Sequence, residues 1–326
     1  MNTRRRCLAA GAAWPALAWV GVLRAQSPAA GLRRVAVLAP STREKEEVIL
    51  KPFFEQLREL GWIEGQNIAY DWVFADDQQD RLPALAAQVV ARSPELIFAP
   101  PSVSAVAAKG ATSAIPIVFA AANDPVAYGL VKSLGRPGGN VTGVSSMSSE
   151  LSGKKVELLH EILPGLKRLG VFGDAGDPNT RNERQAVRKA AAARGIQVVS
   201  AEFTQPGDLD AGFDKLVAQR PDAVYVLEGA LTLNMRLQIA ERALRKRLPL
   251  VPFVSAGGLF SYTSSLQDRL RRSAQMVDKL LRGAKPADIP VEQPTLFLLT
   301  VNLKAAKALG IIVLQQLLLR ADREME

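Results

Sequence analysis

RVAVLAPSTREKEEVILKPFFEQLRELGWIEGQNIAYDWVF, residues 34–74, sets the reading of the whole chain. Arg34–Ala39 is a short β-branched run stopped by Pro40. Such a run, bounded by a turn residue, has the character of a buried strand. Glu44–Leu60 then spaces Val48, Phe53, Phe54, Leu57 and Leu60 at helical intervals, and Gly61 ends the pattern. Asn67–Val73 returns to strand character.

The same rhythm runs outward to the C-terminus. Helix Leu82–Arg92, strand Glu95–Ala99, helix Ser102–Lys109 and strands Ile115–Ala120 and Val141–Val144 complete a first half. In the second half, helices are expected at Glu150–Ile162, Thr180–Arg194, Leu209–Gln219 and Leu231–Arg245. Strands are expected between them at Arg168–Phe172, Ile196–Ser200, Ala223–Leu227 and Leu250–Phe253. A long helix, Leu266–Leu281, leads into a crossing with Pro286, Pro290 and Pro294, then a strand near Phe297–Val301 and terminal helices. Strands alternating with helices predict an α/β fold of parallel sheets covered on both faces, with right-handed crossovers.

The chain has 326 residues, a length that suits two α/β lobes. Hydrophobic residues make up 48% and charged residues 22%, which argues against a disordered or coiled-coil protein. The first residues read as an export signal. Arg4, Arg5 and Arg6 precede an apolar run, Cys7–Leu23, and Leu23-Arg24-Ala25 offers a cleavage site after Ala25. The run is broken by Pro15 and is shorter than the roughly 20 residues of a spanning helix. A mature chain that is not membrane-spanning is therefore expected, exported by the Sec or the twin-arginine route, since Thr3–Leu8 resembles a twin-arginine signal. Cys7, the only cysteine, would leave with that segment, which excludes disulfides, cysteine-zinc sites and cysteine nucleophiles from the mature chain. Removing the four signal arginines leaves 37 basic against 32 acidic residues, or +5. These charges are interleaved, without an aromatic-plus-basic stripe, so nucleic acid is not an expected partner.

Ligands of parallel α/β sheets bind beyond the carboxyl ends of the strands. Five loops fall there: Pro40–Arg43, Pro100–Ser104, Asn123–Pro125, Asp177–Thr180 and Glu228–Ala230. Helix N-termini in such loops present free N–H groups to a carboxylate. Ser102 and Ser104 could add hydroxyl donors, and Asp124 and Glu228 could accept from an amine. The set suits a zwitterion. Each residue also has a plainer role. Ser41, Thr42, Ser102, Asn179 and Thr180 make good N-caps, and Asp124 before Pro125 starts a turn. Gly257-Gly258 permits close backbone approach, and Tyr262 either meets a ligand or fills a core.

The motifs G-x-G-x-x-G after a strand, the P-loop and G-x-S-x-G are all absent from the sequence. Asp76, Asp77 and Asp80 do not have calcium-loop spacing, so no metal and no cofactor is expected. His160, the only histidine, sits mid-helix in VELLHEIL and reads as structural. An exported serine hydrolase with Ser102 or Ser104 as nucleophile and His160 as base is the rival from another class.

Several stretches resemble one family. They are LRELGWIEGQNIAYDW (57–72), DRLPALAAQVVARSPELIFA (80–99), KGATSAIPIVFAAANDPVAYGLVKSLGRPGGNVTGVS (109–145), GKKVELLHEILPGLKRLGV (153–171) and PTLFLLTVNLKAAKALGI (294–311). Each is similar to segments of the tryptophan/tyrosine-type ABC transporter substrate-binding proteins. The resemblance implies a type I periplasmic-binding-protein-like fold: two Rossmann-like lobes joined by a hinge of three crossings. Residues 33–147 plus about 254–290 would form lobe one, and 148–253 plus about 291–326 lobe two. It implies a non-enzymatic, periplasmic protein that binds a small molecule, an amino acid or related carboxylate, and delivers it to an ABC permease in the inner membrane. A sensor in place of the permease is the alternative partner. The ligand contacts carried over are Ser41, Ser102, Ser104, Asn123 and Asp124 in lobe one, and Asn179, Glu228 and Tyr262 in lobe two; the loop reading adds Thr42.

Overall fold

A computed structural model describes residues 31–326, apart from the side chains of Pro178, Asn179 and Ala230. The expected export segment, residues 1–25, lies outside the described residues, and so does the side chain of Asn179.

Strands β1 (Arg33–Ala39), β2 (Ile68–Phe74), β3 (Leu96–Phe98), β4 (Ile117–Ala122) and β5 (Val141–Ser145) form one parallel sheet in the order β2-β1-β3-β4-β5. Strand side chains alternate between faces, so β1 feeds two cores at once. Val35 and Val37 join Leu50, Phe53 and Leu57 of helix α1 (Arg43–Glu59) on one face. Ala36 and Leu38 join Leu82, Ala86 and Val89 of α2 (Leu82–Ala91) and Ala105 and Ala108 of α3 (Ser102–Ala111) on the other. Gly143 lets β5 lie tight on β4, since a Cβ there would sit 2.2 Å from the Phe119 carbonyl oxygen.

The second parallel sheet runs β7-β6-β8-β9, built from β6 (Arg168–Asp174), β7 (Gln197–Phe203), β8 (Ala223–Val226) and β9 (Leu250–Val251). Helices α4 (Ser148–Ile162) and α5 (Pro178–Ala192) contribute Val156, Leu159 and Val187 to the core on one face. Phe213 of α6 (Leu209–Val217) fills the other face. Leu231–Arg245, expected as one helix, is two: α7 (Ala230–Asn234) and α8 (Arg236–Arg245). The break falls at Met235, whose backbone leaves helical geometry while its side chain stays buried with Ile239.

The last third weaves between the sheets. Strand β10 (Phe260–Ser264) pairs antiparallel with β11 (Phe297–Asn302), and Phe260, Leu299 and Val301 lie in the same core as Val171 and Tyr225. The sequence reading gave residues from about 254 to the first lobe, whereas Leu259 and Phe260 pack with the second sheet. Helix α9 (Leu266–Leu281) then returns to the first sheet, packing on β4, β5 and α1, with Leu270, Ala274, Met276 and Val277 in that core. After α10 (Leu303–Leu309) and α11 (Gln315–Leu318), the chain does not end helically. Strand β12 (Arg323–Met325) joins β11 in parallel. All three of its residues are exposed, so it carries no apolar period to read, and the Asp322 carboxylate helps fix it by accepting from Leu299 N at 2.7 Å.

The backbone therefore crosses between the sheets three times: after β5, between β10 and α9, and before β11. The crossings are tied side by side. Ser264 Oγ donates to Ser146 O at 2.9 Å, and Ser265 N donates to Leu296 O at 2.9 Å. Among the described residues no helix is long and apolar enough to cross a membrane.

Candidate functional site

The carboxyl ends of β4 and β8 bring their loops together. Asn123, just past β4, is held on three sides. Its N–H donates to Ser102 Oγ at 3.2 Å, its Oδ1 accepts from Ser146 Oγ at 3.0 Å, and its Nδ2 donates to Glu228 O at 3.2 Å. That last bond runs from the first sheet's loop to the second's. Asp124 Oδ1 accepts from the N–H groups of Val126 and Ala127, the turn role that its place before Pro125 allows. Its Oδ2 accepts from Asn182 Nδ2 of α5 at 2.8 Å. Tyr128 OH donates to the Asp177 carboxylate, 2.7 Å from Oδ1. Gln79 Nε2 donates to Asn234 Oδ1 at 3.2 Å. Four pairs thus bind the two sets of loops to each other.

Glu228 stands over a buried charge cluster. Its carboxylate pairs with Lys155 Nζ, whose side chain is only 1% exposed against 19% for Glu228. Its N–H donates to Glu183 Oε2 at 2.6 Å, and Tyr225 OH donates to Glu183 Oε1 at 3.1 Å. Burial, reinforced by the Glu228 charge, pushes the Glu183 carboxyl up to about 8, while Lys155 pulls the other way. Lys155 thus already engages one oxygen of the Glu228 carboxylate, the group offered to a ligand amine by the sequence. Gly229 makes room for the opposite wall: a Cβ there would sit 2.7 Å from Asp177 Oδ2.

Other predicted residues sit apart from this cluster or in different roles. Ser41 Oγ donates to Asp77 Oδ1 at 2.9 Å, and Ser41 N to Glu46 Oε1 at 3.2 Å, so Ser41 organises its own loop. Thr42 is the extended N-cap residue of α1, without a side-chain capping bond. Ser102 and Ser104 open α3 and are both buried; the Ser104 hydroxyl has no partner among the described residues. Tyr262 lies mid-strand in β10, packed on the second core with its ring 6.0 Å from that of Phe297. That packing is the core role open to it. His160 lies in the last turn of α4, and its buried Nδ1 has no partner among the described residues.

Sequence reasoning missed Tyr128, Ser146, Lys155, Asn182, Glu183 and Arg269. Arg269, in the first turn of α9, is 7% exposed and donates from Nη1 to Ala120 O at 3.1 Å. A signal was present for three of them. Lys155, Glu183 and Arg269 each occupy a core position on an apolar helix stripe, where an unexplained charge is costly. Asp177 lies in the strand-end loop Asp177–Thr180. Among the described residues no group of three His, Cys, Asp or Glu side chains could hold a metal ion. The polar groups of the two loop sets bond to one another directly.

A "Tyrosine-binding protein" of Clostridioides difficile (strain R20291) is 29% identical over 245 residues, 74% of this chain and 70% of that protein. The crystal structure of an ABC domain in complex with L-Trp from Streptococcus pneumonia matches with a TM-score of 0.83 at 25% identity, over 90% of this chain and 100% of that one. The ligand-free, open structure of a substrate-binding protein with adhesive properties from Clostridium difficile matches with a TM-score of 0.70 at 26% identity, over 90% and 100%. Residues 34–325 match the family described as ABC transporter substrate binding protein, a family of binding proteins and not of enzymes. By that match, the chain belongs to the ABC transporter substrate binding protein family.

Proposed function

We propose that this chain is the exported, periplasmic substrate-binding component of an ABC importer, and that it holds an amino acid between two lobes by hinge closure. Lobe one comprises residues 33–147 with α9, and lobe two the second sheet with β10, β11 and β12. L-tryptophan and L-tyrosine are the first ligands to test, because relatives at 25% and 29% identity are described by those ligands. The observation that carries the reading is the set of bonds between the two loop groups, Asn123 to Glu228, Tyr128 to Asp177 and Asn182 to Asp124. They tie together loops that a hinge of three crossings could part. The TM-score of 0.83 against the L-Trp complex, compared with 0.70 against the open protein at nearly equal identity, favours a closed arrangement.

A ligand shifts such a balance only by binding one state better than the other. The contacts proposed are Ser102, Ser104, Asn123 and Asp124 from one side and Asn179 and Glu228 from the other. Titration calorimetry of the mature chain against the twenty L-amino acids tests the proposal. Saturable binding, accompanied by a smaller radius of gyration in solution scattering, is expected. Binding of none of them refutes it. Fractionation of cells expressing the full chain tests export, with the mature protein expected outside the inner membrane.

A further inference from the structure

We propose that Arg269 is the anchor for the ligand's carboxylate and so a determinant of specificity for amino acids over their amine and amide analogues. The inference rests on the amino-acid reading above. Arg269 sits on the stripe of α9 that includes Ser273, Met276 and Leu280, all buried. A guanidinium placed there loses most of its hydration and needs compensation from fixed partners. What it has is incomplete. Nη1 donates to Ala120 O, but Nε is buried without a partner among the described residues. Arg269 forms no ion pair among the described residues. Of the carboxylates that act on its charge, Glu228 is engaged by Lys155, and Asp268 faces Arg272 at 3.9 Å.

Its position makes that deficit meaningful. Ala120 lies where the pairing of β4 with β5 slips, three residues before Asn123. Glu228, across the loops, is near enough for its charge to be felt at Arg269. Through its bond to Ala120 O, the cation lies against the end of β4 from which the Asn123 loop leaves. With Nη1 spent on the backbone, the Nε edge remains, and a guanidinium takes a carboxylate side-on by that edge. Burial lowers its pKa to about 10, so it is still a cation at neutral pH. The acidic groups gather elsewhere, with Asp177 against Tyr128 and Asp124 against Asn182. A zwitterion would then lie with its carboxylate toward α9 and its ammonium toward those acids.

The test is calorimetry on the mature chain with L-tryptophan and L-tyrosine, their carboxamides, and tryptamine and tyramine. The wild type is expected to prefer each amino acid over its amide and its amine by roughly 100-fold or more. Arg269→Gln should cut that preference to about tenfold or less while leaving the amide's affinity near wild type. Arg269→Lys keeps the charge but not the side-on edge, and should fall between. If Arg269→Gln does not fold, as read by circular dichroism, the lysine variant decides. A wild-type preference in whichever variant folds overturns the anchor while the binding function stands. A wild type that binds none of the twenty L-amino acids overturns both; if it binds another of them instead, the same comparison of amino acid, amide and amine is made with that ligand.

Discussion

Replacing Lys155 by Met tests the buried cluster most sharply. Met matches the length of the lysine stem and keeps the apolar contacts of α4. It removes a cation that engages the Glu228 carboxylate and lies near Glu183. Breaking a buried ion pair by deleting one partner costs about 3–5 kcal/mol, most of it from the stranded charge. Glu228 keeps 19% of its side-chain exposure, so water relieves part of that load and about 3 kcal/mol is expected. For a chain of this size that corresponds to a fall in Tm of roughly 5–10 °C. Urea unfolding should show a lower midpoint at unchanged slope. Adding Glu228→Gln to Lys155→Met should restore more than half of the loss, since the stranded charge is gone. A single variant within about 1 kcal/mol of wild type would refute the reasoning. So would a double variant no better than the single.

Three further outcomes are expected. Glu183 has a folded-state pKa raised by burial from 4.5 to about 8, so its neutral form stabilises the fold. That contribution is complete below the unfolded value and is lost as pH rises through about 8, and Glu183→Gln should flatten this part of the stability–pH curve measured between pH 5 and 9. Tyr128→Phe removes the bond to Asp177, a hydrogen bond to a charged group, and should weaken ligand binding roughly tenfold by calorimetry while enlarging the ligand-free radius of gyration. Ser104→Ala deletes a buried hydroxyl without a partner among the described residues, so thermal unfolding of the ligand-free protein should be unchanged or slightly higher, whereas ligand affinity should drop.

The sequence by itself determined the alternation, and with it the two parallel sheets. Runs such as Arg34–Ala39 and Arg168–Phe172 are apolar on both faces, and period and stop signals are local properties that survive without a partner. It also located Asn123, Asp124 and Glu228 at strand ends, because the carboxyl edge of a parallel sheet follows from strand direction alone. Tertiary structure decided the rest. Phe260 goes to the second core and α9 to the first, a choice between two apolar surfaces that spacing cannot express. β12 exists because β11 offers it an edge, while its own residues are exposed and without period. Lys155, Glu183 and Arg269 stand on apolar stripes in the sequence, yet whether a charge there is paired, neutralised or left wanting depends on what faces it from another element. Electrostatics in a dry interior act between groups far apart in sequence, the side chains of Lys155 and Glu228 or the Arg269 guanidinium and the Ala120 carbonyl, and only the folded chain brings them within reach.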